Sequence, residues 1–372
     1  MVPHPSDVIV IGAGIIGCAV ASELARRGAS VRVVDDRPPG MGATQASAGV
    51  LAPYIEAREG GPLLELTARS LDLFDGFIER TRAASGVAVS YHRTGTLDVA
   101  RTTTTLAALS ATAALLKPRG IDARMLDANE IRTEEPQLSG DVIGGLLIPT
   151  HGFVAAHELT KALLAAARAN GGARLEAGRA RSIRRSGAGL TVDAGPTFLQ
   201  ADAVVVAAGS WSGQIAVEGA AALPVRPVRG QLLQLAWSGA SPKQVIWGER
   251  CYMVPWRDGT VLVGATVEDA GFDERTTVAG VRDLMDAACE LVPATRAASL
   301  VAARVGLRPA CPDGLPAIGP SAVMPNLFYA SGHYRNGILL APLTAALVAD
   351  ALLDGTADSL LELTRPQRFG QL

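Results

Sequence analysis

The sequence predicts an α/β fold in which a Rossmann-like βαβ domain is interleaved with a domain built on a mixed, mainly antiparallel sheet. Three observations support this prediction. A short apolar run at residues 7–11 indicates a buried strand, and it leads directly into a glycine-rich turn. A second buried strand at 202–206 also ends in a glycine turn, so it belongs in the same parallel sheet. Residues 225–267 alternate between apolar and polar positions, as antiparallel strands do.

The glycine-rich turn at residues 12–17 has the spacing of a dinucleotide-binding βαβ unit. In such a unit Gly12 permits the tight turn, Gly14 lets the backbone approach a pyrophosphate, and Gly17 lets the helix and the strand pack closely. The next strand ends at Asp35, which has the spacing of an acid that holds a ribose hydroxyl. We therefore expect the phosphates at the N-terminus of the first helix, where unpaired N–H groups and the helix dipole favour an anion.

The remaining elements follow from the spacing and the type of residues. The helix at 63–84 is predicted from an apolar stripe, the helix at 103–116 from its Ala and Leu content, and the antiparallel strands from alternation. Helices are predicted at 15–27, 63–84 and 103–116, from 127 to before 136, at 281–291, and at the end of the chain to near 353. Strands are predicted at 95–100, as short strands at 174–199, and at 230–235, 251–255 and 260–264. A ligand-contacting loop is predicted at 38–53, and a loop followed by a helix at 152–169.

The two predicted domains are interleaved because the βαβ elements come from the start, the middle and the end of the chain. We place the dinucleotide-binding domain at residues 1–85, 145–224 and 305–372, and the substrate domain at 86–144 and 225–304.

The composition excludes several classes of partner. The chain has 372 residues and a net charge of −2, so nothing indicates a nucleic-acid or membrane-surface partner. The apolar run at 338–349 is too short to span a bilayer, and we expect no membrane span. The four cysteines form no CxxC pair, which favours free thiols in a cytoplasmic protein, and no metal spacing is present. The oligomeric state stays open, and a homo-oligomer is compatible with the sequence.

Several motifs together resemble one family, the FAD-dependent D-amino-acid oxidase superfamily, and within it the glycine oxidase branch linked to thiamine synthesis. The similarity extends over essentially the whole chain. It rests on the order and spacing of GAGIIG at 12–17, the small-residue loop at 44–51, VVVAAGSWS at 204–212, CYMVP at 251–255, GLRP at 306–309, DGLP at 313–316, and GHYRNGILLAP at 332–342.

The resemblance implies a p-hydroxybenzoate-hydroxylase-like arrangement with non-covalent FAD at the junction of the two domains. Backbone N–H groups at the start of the last helix would stabilise negative charge on the reduced flavin. The cofactor-binding residues that it implies are Gly12, Gly14, Ile15, Ile16, Gly17, Asp35, Asp36, Thr44, Ser47, Ala48, Gly49, Ala208, Gly209, Trp211, Gly332, His333, Arg335, Asn336, Gly337 and Ile338.

The resemblance also implies a substrate clamp. Arg308 matches the family's carboxylate-binding arginine, whose guanidinium forms two parallel charge-assisted bonds; the alternative is a structural salt bridge. Tyr252 matches the second carboxylate contact, or is an ordinary half-buried strand tyrosine. Arg335 either touches the substrate or holds the flavin edge. His333 is either a base or a hydrogen-bonded structural histidine, and Trp247 is expected in the core rather than the pocket.

Two positions depart from the pattern of the relatives. Glutamate and arginine at 249–250 stand where we would expect a histidine in glycine oxidases, which leaves the pocket rim and the preferred amine open. Gly306 stands where sarcosine oxidase relatives tether the flavin through a cysteine, and Cys311 lies on the other side of Arg308, so no covalent flavin is expected.

The implied reaction is the oxidative deamination of glycine or another small amino acid, by hydride transfer from Cα to flavin N5, giving a 2-oxo acid, ammonia or an amine, and H₂O₂. No catalytic acid or base is required, because the lone pair of the neutral amine drives the transfer. The electron acceptor is O₂ or another molecule, and in the second case the protein is a D-amino-acid dehydrogenase. The sequence also leaves open a nicotinamide-dependent dehydrogenase, since GxGxxG with Asp35 suits NAD as well, and a non-catalytic flavin-binding protein.

Overall fold

Four β-sheets and the helices between them make up the part of the chain that the computed structural model describes, residues 7–56, 60–187, 189–237 and 239–372. The first six residues of the predicted dinucleotide-binding domain lie outside these ranges. The strands are β1 (Asp7–Ile11), β2 (Ser30–Asp35), β3 (Val50–Leu51), β4 (Tyr91–His92), β5 (Thr96–Ala100), β6 (Arg124–Asp127), β7 (Gly144–Ile148), β8 (Gly152–Val154), β9 (Arg174–Ala177), β10 (Ser182–Ser186), β11 (Gly189–Asp193), β12 (Phe198–Ala201), β13 (Ala203–Val206), β14 (Ala216–Val217), β15 (Arg226–Ala236), β16 (Val245–Trp247), β17 (Tyr252–Pro255), β18 (Thr260–Gly264), β19 (Ser299–Ala310), β20 (Ala317–Pro320) and β21 (Leu327–Ser331).

The helices confirm most of the predicted ones. They are α1 (Ile15–Arg26), α2 (Pro53–Glu56), α3 (Pro62–Ser85), α4 (Thr103–Leu116), α5 (Ala128–Glu134), α6 (Ala156–Gly171), α7 (Val278–Leu291), α8 (Gly337–Ala349) and α9 (Leu360–Thr364). Short 3₁₀ helices cover Ala43–Ala46, Lys117–Arg119, Gly209–Gln214, Pro293–Ala297 and Pro366–Phe369, and a π-helical turn at Asp350–Asp354 extends α8.

The six-stranded sheet has the order β20-β21-β13-β1-β2-β9. All its strands run parallel except β20, which pairs antiparallel to β21 at one edge. The strand at 203–206 is therefore in the same parallel sheet as β1, as the sequence predicted, and the structure places it directly beside β1. Such a sheet is covered on both faces, which explains why its central strands β1, β13 and β21 are mostly continuous apolar runs rather than alternating ones.

Side chains of β1 point alternately into two cores. Val8 and Val10 are fully buried against α1, α3, α6 and α8, whereas Ile9 and Ile11 pack towards a four-stranded sheet with the order β12-β11-β10-β14. Helix α1 ends before Gly28, whose φ of 92° is a left-handed conformation suited to glycine after a helix. The dinucleotide-binding part is therefore a three-layer arrangement of helices, parallel sheet and small antiparallel sheet.

The second part is an eight-stranded mixed sheet with the order β19-β15-β18-β17-β16-β5-β7-β6. The antiparallel strands predicted at 225–267 form its centre, and α7 packs on it. The predicted domain limits at residues 145 and 305 fall within β7 and β19 of this sheet. The division into two domains stays a prediction.

Three local expectations need correction. Residues 152–154 form strand β8 between β3 and β4 rather than a loop, and α9 follows the helix that was expected to be last. The apolar run at 338–349 does not stop there, because α8 and its π-helical turn together cover Gly337–Asp354, which is long and apolar enough to cross a bilayer by length and composition. About 67% of that stretch is buried inside the protein, as expected for a core helix.

Candidate functional site

A cavity of about 550 Å³ extends between the carboxyl ends of the parallel strands and the eight-stranded sheet. This is the edge of an open α/β sheet at which ligands bind. The cavity brings together nearly all the residues that the sequence nominated. Those that line it are Gly12, Gly14, Ile15, Ile16, Asp35, Asp36, Thr44, Ser47, Ala48, Gly49, Ala208, Gly209, Trp211, Tyr252, Arg308, His333, Arg335, Asn336, Gly337 and Ile338.

Two nominated glycines, Gly17 and Gly332, lie behind the wall of the cavity. A Cβ on Gly17 would come within 1.8 Å of the Gly12 carbonyl oxygen, so Gly17 permits close contact between α1 and the turn. A Cβ on Gly332 would come within 2.2 Å of the Cys311 sulfur, and its φ is 79°. Both positions therefore shape the cavity without facing it.

One end of the cavity is the glycine-rich turn, which the Asp35 carboxylate holds in place. Asp35 Oδ2 accepts the Ala13 N–H at 2.6 Å, and Oδ1 accepts the Arg37 N–H at 2.8 Å. Burial raises the pKa of the Asp35 carboxyl above its usual value, while these two N–H donors act in the opposite direction. Each carboxylate oxygen can still accept a further hydrogen bond, so the predicted contact with a ribose hydroxyl is compatible with this role.

The N-terminus of α1 faces the same end of the cavity. Gly14 is its N-cap and has no side chain to form a capping bond, while the Thr44 hydroxyl accepts the Ile15 N–H at 3.2 Å. The absence of a side chain at Gly14 leaves the backbone open to a ligand, and within the described part of the chain its Cβ would meet nothing nearer than Thr44 Oγ1 at 3.7 Å. This end of the cavity is therefore suited to a pyrophosphate.

Arg37, which no sequence motif indicated, lines the cavity immediately after the acidic pair. Its guanidinium lies 4.3 Å from the ring centroid of Trp211 and forms an ion pair with Glu274 at 2.9 Å. Phe272 packs on Trp211 with 5.7 Å between ring centroids. The segment between β18 and α7 thus reaches across to the dinucleotide end, a contact between distant segments that no local motif reveals.

The other end of the cavity is formed by residues 332–338 and the N-terminus of α8. Asn336 is the N-cap of α8 and makes no side-chain capping bond within the described part of the chain. Gly306 lies against the small-residue loop, since a Cβ there would come within 2.9 Å of the Ala46 side chain. The absence of a side chain at Gly306 therefore lets this strand lie close to the small-residue loop at the ring end of the cavity.

His333 is buried, and its environment argues against a role as a base. Its Nε2 lies 3.0 Å from the Thr344 hydroxyl, and burial lowers its pKa to about 3. The ring is therefore neutral at physiological pH and too weakly basic to take up a proton during catalysis. Of the two roles considered from the sequence, this geometry favours the hydrogen-bonded structural histidine.

Arg308 and Tyr252 line the cavity on the side of the eight-stranded sheet. Arg308 Nη1 donates to the Thr266 carbonyl at 2.9 Å and lies 3.4 Å from the Arg229 carbonyl. Arg229 is 7% exposed, and its guanidinium pairs with Glu268 at 2.6 Å. A part-buried ion pair therefore links β15, the strand beside the one that carries Arg308, to the segment after β18.

Trp247 was expected in the core, but it lines the cavity. Its indole stacks on the Tyr252 ring with 4.9 Å between centroids, because the two residues are directly paired on β16 and β17. Trp256 packs edge-on against Phe153, 4.7 Å away, and is not among the lining residues of this cavity.

Residues 249–250 do not form the rim of the cavity. Both are exposed in the turn between β16 and β17; Glu249 accepts a hydrogen bond from Thr105, and Arg250 pairs with Glu290 at 2.8 Å. Neither is among the residues that line the cavity, so the departure from the relatives at these positions lies outside the site.

Comparison with known proteins gives consistent matches over the whole chain. The family model DAO, described as FAD dependent oxidoreductase, matches residues 7–351. Glycine oxidase from Geobacillus kaustophilus is 33% identical, with 93% of each chain covered, and its crystal structure superposes with a TM-score of 0.91 over 96% of each chain. The bifunctional protein ThiO/ThiG of Synechocystis is 35% identical over 98% of this chain and 54% of its own length. The crystal structure of iminodiacetate oxidase from Chelativorans is 31% identical, with a TM-score of 0.88 over 96% of this chain and 98% of that one.

The role of Asp35 generates a first prediction. Asp35→Ala removes an acceptor from the glycine-rich turn and from the predicted ribose contact, so FAD affinity should fall about 10- to 100-fold, from charge-assisted bonds worth roughly 1.5–3 kcal/mol. Flavin content after dialysis measures the loss. Asp286→Ala, at an exposed position on α7, is the matched control and should retain its flavin. Equal retention in both variants would contradict the assignment.

A second prediction concerns acid stability. Burial lowers the pKa of His333 and His151 to about 3 from an ordinary 6.5. As the pH falls below 6.5, the unfolded chain takes up these protons before the folded one, so stability should fall by about 1.4 kcal/mol per pH unit for each histidine until the pH approaches 3. Thermal unfolding of His333→Gln between pH 7 and 5 should show a shallower dependence than the parent; an unchanged dependence would contradict the prediction.

Proposed function

The chain belongs to the family of FAD dependent oxidoreductases, and we propose that it oxidises glycine or a similarly small amino acid at its C–N bond. The observation that carries the proposal is the cavity that joins a dinucleotide-type turn to the Arg308 and Tyr252 side chains. The names of the similar proteins, glycine oxidase and iminodiacetate oxidase, support an amino acid as the substrate class.

The cavity fits FAD, which is the cofactor of this family. Gly14 keeps the pyrophosphate end free of a side chain, Gly12 lets the turn lie against the Ala207 backbone, Asp35 would hold the ribose, and residues 332–338 border the ring end. Bound FAD would accept the two electrons removed from the substrate. We propose that it is held without a covalent link, because Gly306 stands at the position where tethering relatives carry a cysteine, and burial raises the pKa of the nearby Cys311 thiol to about 11, which leaves it unreactive.

The chain's own contribution to the reaction is to position the substrate. Arg308 binds the carboxylate through charge-assisted hydrogen bonds, and the Tyr252 phenol donates to the same group. Two contacts on one carboxylate fix the direction of the Cα–H bond, and orientation of this kind supplies much of the rate acceleration. His333 is buried and too weakly basic to take a proton from the substrate amine, and the amine must be unprotonated before its lone pair can drive the hydride transfer.

The wall beside Tyr252 favours a small substrate. Trp247 stacks on Tyr252 and lines the cavity, so its indole occupies space beside the carboxylate end that a larger side chain would need. We therefore propose glycine as the preferred substrate, with sarcosine and small D-amino acids as further candidates, and glyoxylate or another 2-oxo acid, ammonia or amine, and H₂O₂ as products.

The wider role follows from the same relatives. Similarity to the ThiO half of the bifunctional protein ThiO/ThiG supports a place in thiamine synthesis. All four cysteines lie in the described part of the chain and are free thiols, which is compatible with the cytoplasmic location predicted from the sequence.

A substrate panel tests the proposal. Glycine, sarcosine, D-alanine, D-proline and D-arginine are offered to the purified protein, and turnover is followed both by peroxide release and by an artificial dye acceptor. We expect the highest kcat/KM with glycine and release of peroxide. Turnover with the dye alone would identify the protein as a dehydrogenase rather than an oxidase. No turnover in either assay would contradict the proposal.

The clamp gives a separate prediction. Arg308→Leu should retain FAD but lose about 100-fold in kcat/KM, because a desolvated carboxylate without its partner costs roughly 3 kcal/mol. Arg282→Leu removes an exposed guanidinium from α7 and serves as the control. Normal turnover by Arg308→Leu would show that another residue binds the carboxylate, and Arg335 would be the next candidate.

A further inference from the structure

Two glycines of the eight-stranded sheet lie directly against the two side chains of the clamp. A Cβ on Gly230 would be 2.3 Å from Cζ, Nη1 and Nη2 of Arg308. A Cβ on Gly264 would be 2.3 Å from both Cζ and Oη of Tyr252, and 2.6 Å from its Cε2. Non-bonded heavy atoms do not approach one another so closely, so a residue larger than glycine at either position would force the Arg308 guanidinium or the Tyr252 phenol to move.

The distances define how each group lies. Three guanidinium atoms at one distance from the Gly230 Cβ position mean that the flat face of Arg308 covers that α-carbon. The hydroxyl end of the Tyr252 ring covers Gly264 in the same way. Arg308 Nη1 also donates to the Thr266 carbonyl at 2.9 Å, which holds the guanidinium flat on the sheet.

The pairing of the strands explains why the two clamp side chains lie over these two glycines. Tyr252 on β17 is directly opposite Gly264 on β18, so the phenol folds over its cross-strand partner. Gly230 on β15 is opposite Gly306 on β19, two residues before Arg308, and the guanidinium reaches back along the sheet to cover it. Both groups therefore rest on bare backbone of neighbouring strands.

Space, rather than backbone conformation, is what requires glycine here. Positive φ values occur at many glycines of this chain, but Gly230 and Gly264 are not among them. Gly230 pairs within β15, and Gly264 is the last residue of β18, before a cis peptide bond to Ala265. Neither position therefore needs glycine for a left-handed backbone, and the atoms nearest to each Cβ position belong to the clamp side chain.

We propose that Gly230 and Gly264 are positioning residues for substrate binding, which set the height of the Arg308 guanidinium and the Tyr252 phenol above the sheet. This inference rests on the proposed function, since it assumes that these two side chains bind a carboxylate. A methyl group at either glycine must displace the clamp by about 1 Å, and a misplacement of that size can reduce catalysis about 100-fold.

The test measures carboxylate binding without turnover. Acetate is titrated into the purified FAD-loaded protein, and the change in flavin absorbance gives its Kd. Gly230→Ala and Gly264→Ala should each weaken acetate about 100-fold while flavin content and melting temperature stay near those of the parent. Gly140→Ala is the matched control, because Gly140 is exposed, lacks a positive φ and has nothing in the described part of the chain within 4 Å of its Cβ position; it should bind acetate normally.

Double variants separate positioning from a general packing role. If Gly230 acts only through Arg308, then adding Gly230→Ala to Arg308→Leu should cause no further loss of acetate binding, and the same holds for Gly264→Ala in Tyr252→Ala. If Gly230→Ala fails to fold, the double variant with Arg308→Leu should fold, because the guanidinium that the new methyl group would contact has been removed.

The outcomes distinguish this inference from the proposed function. Three results would overturn the positioning role while leaving the clamp in place. They are full additivity in the double variants, failure of both the single and the double variants to fold, and normal acetate binding by Gly230→Ala. Normal acetate binding by Arg308→Leu would instead show that the clamp itself is misassigned, and the positioning role would be overturned with it.

Discussion

The hydrogen bond from the Ala13 N–H to the Asp35 carboxylate, 2.6 Å long, is the contact on which the dinucleotide end of the site depends. It joins the turn after β1 to the end of β2, so two parallel strands and the first helix keep one relative position. Gly14 can then serve as an N-cap without a side chain, and the first turn of α1 borders the cavity. The same carboxylate is available to a ribose, which couples the folding of the turn to the binding of the cofactor.

The substrate end depends on a different constraint, the shape of a sheet surface. Arg308 and Tyr252 come from strands of the eight-stranded sheet, whereas the ring end of the cavity is formed by residues 332–338 at the start of α8. Because the chain passes between the two sheets, one sheet can bind the cofactor and the other can orient the substrate. The parallel sheet presents backbone groups and few side chains, as a large flat cofactor requires, and the mixed sheet presents the charged and aromatic groups that orient a small acid.

Features with a local signal could be predicted from the sequence. The βαβ unit follows from its glycine spacing, α4 from its Ala and Leu content and the start of α5 from the residues around Asp127, and nearly every nominated residue lines one cavity. The failures have two causes. Strand β8 is too short to show a period, and Trp247 and Arg37 enter the site through contacts with residues distant in sequence. The role of Gly230 is visible only when the Arg308 side chain above it has been located.

The central claim is that one cavity holds FAD beside a bound small amino acid, and the visible absorbance of the flavin tests it most directly. Glycine is added to the purified yellow protein in the absence of oxygen. The account predicts that the flavin absorbance bleaches, that methylamine, which lacks the carboxylate, bleaches it far more slowly, and that admitting air restores the colour with release of peroxide. A flavin that dithionite bleaches but that no amino acid of the panel reduces would contradict the account.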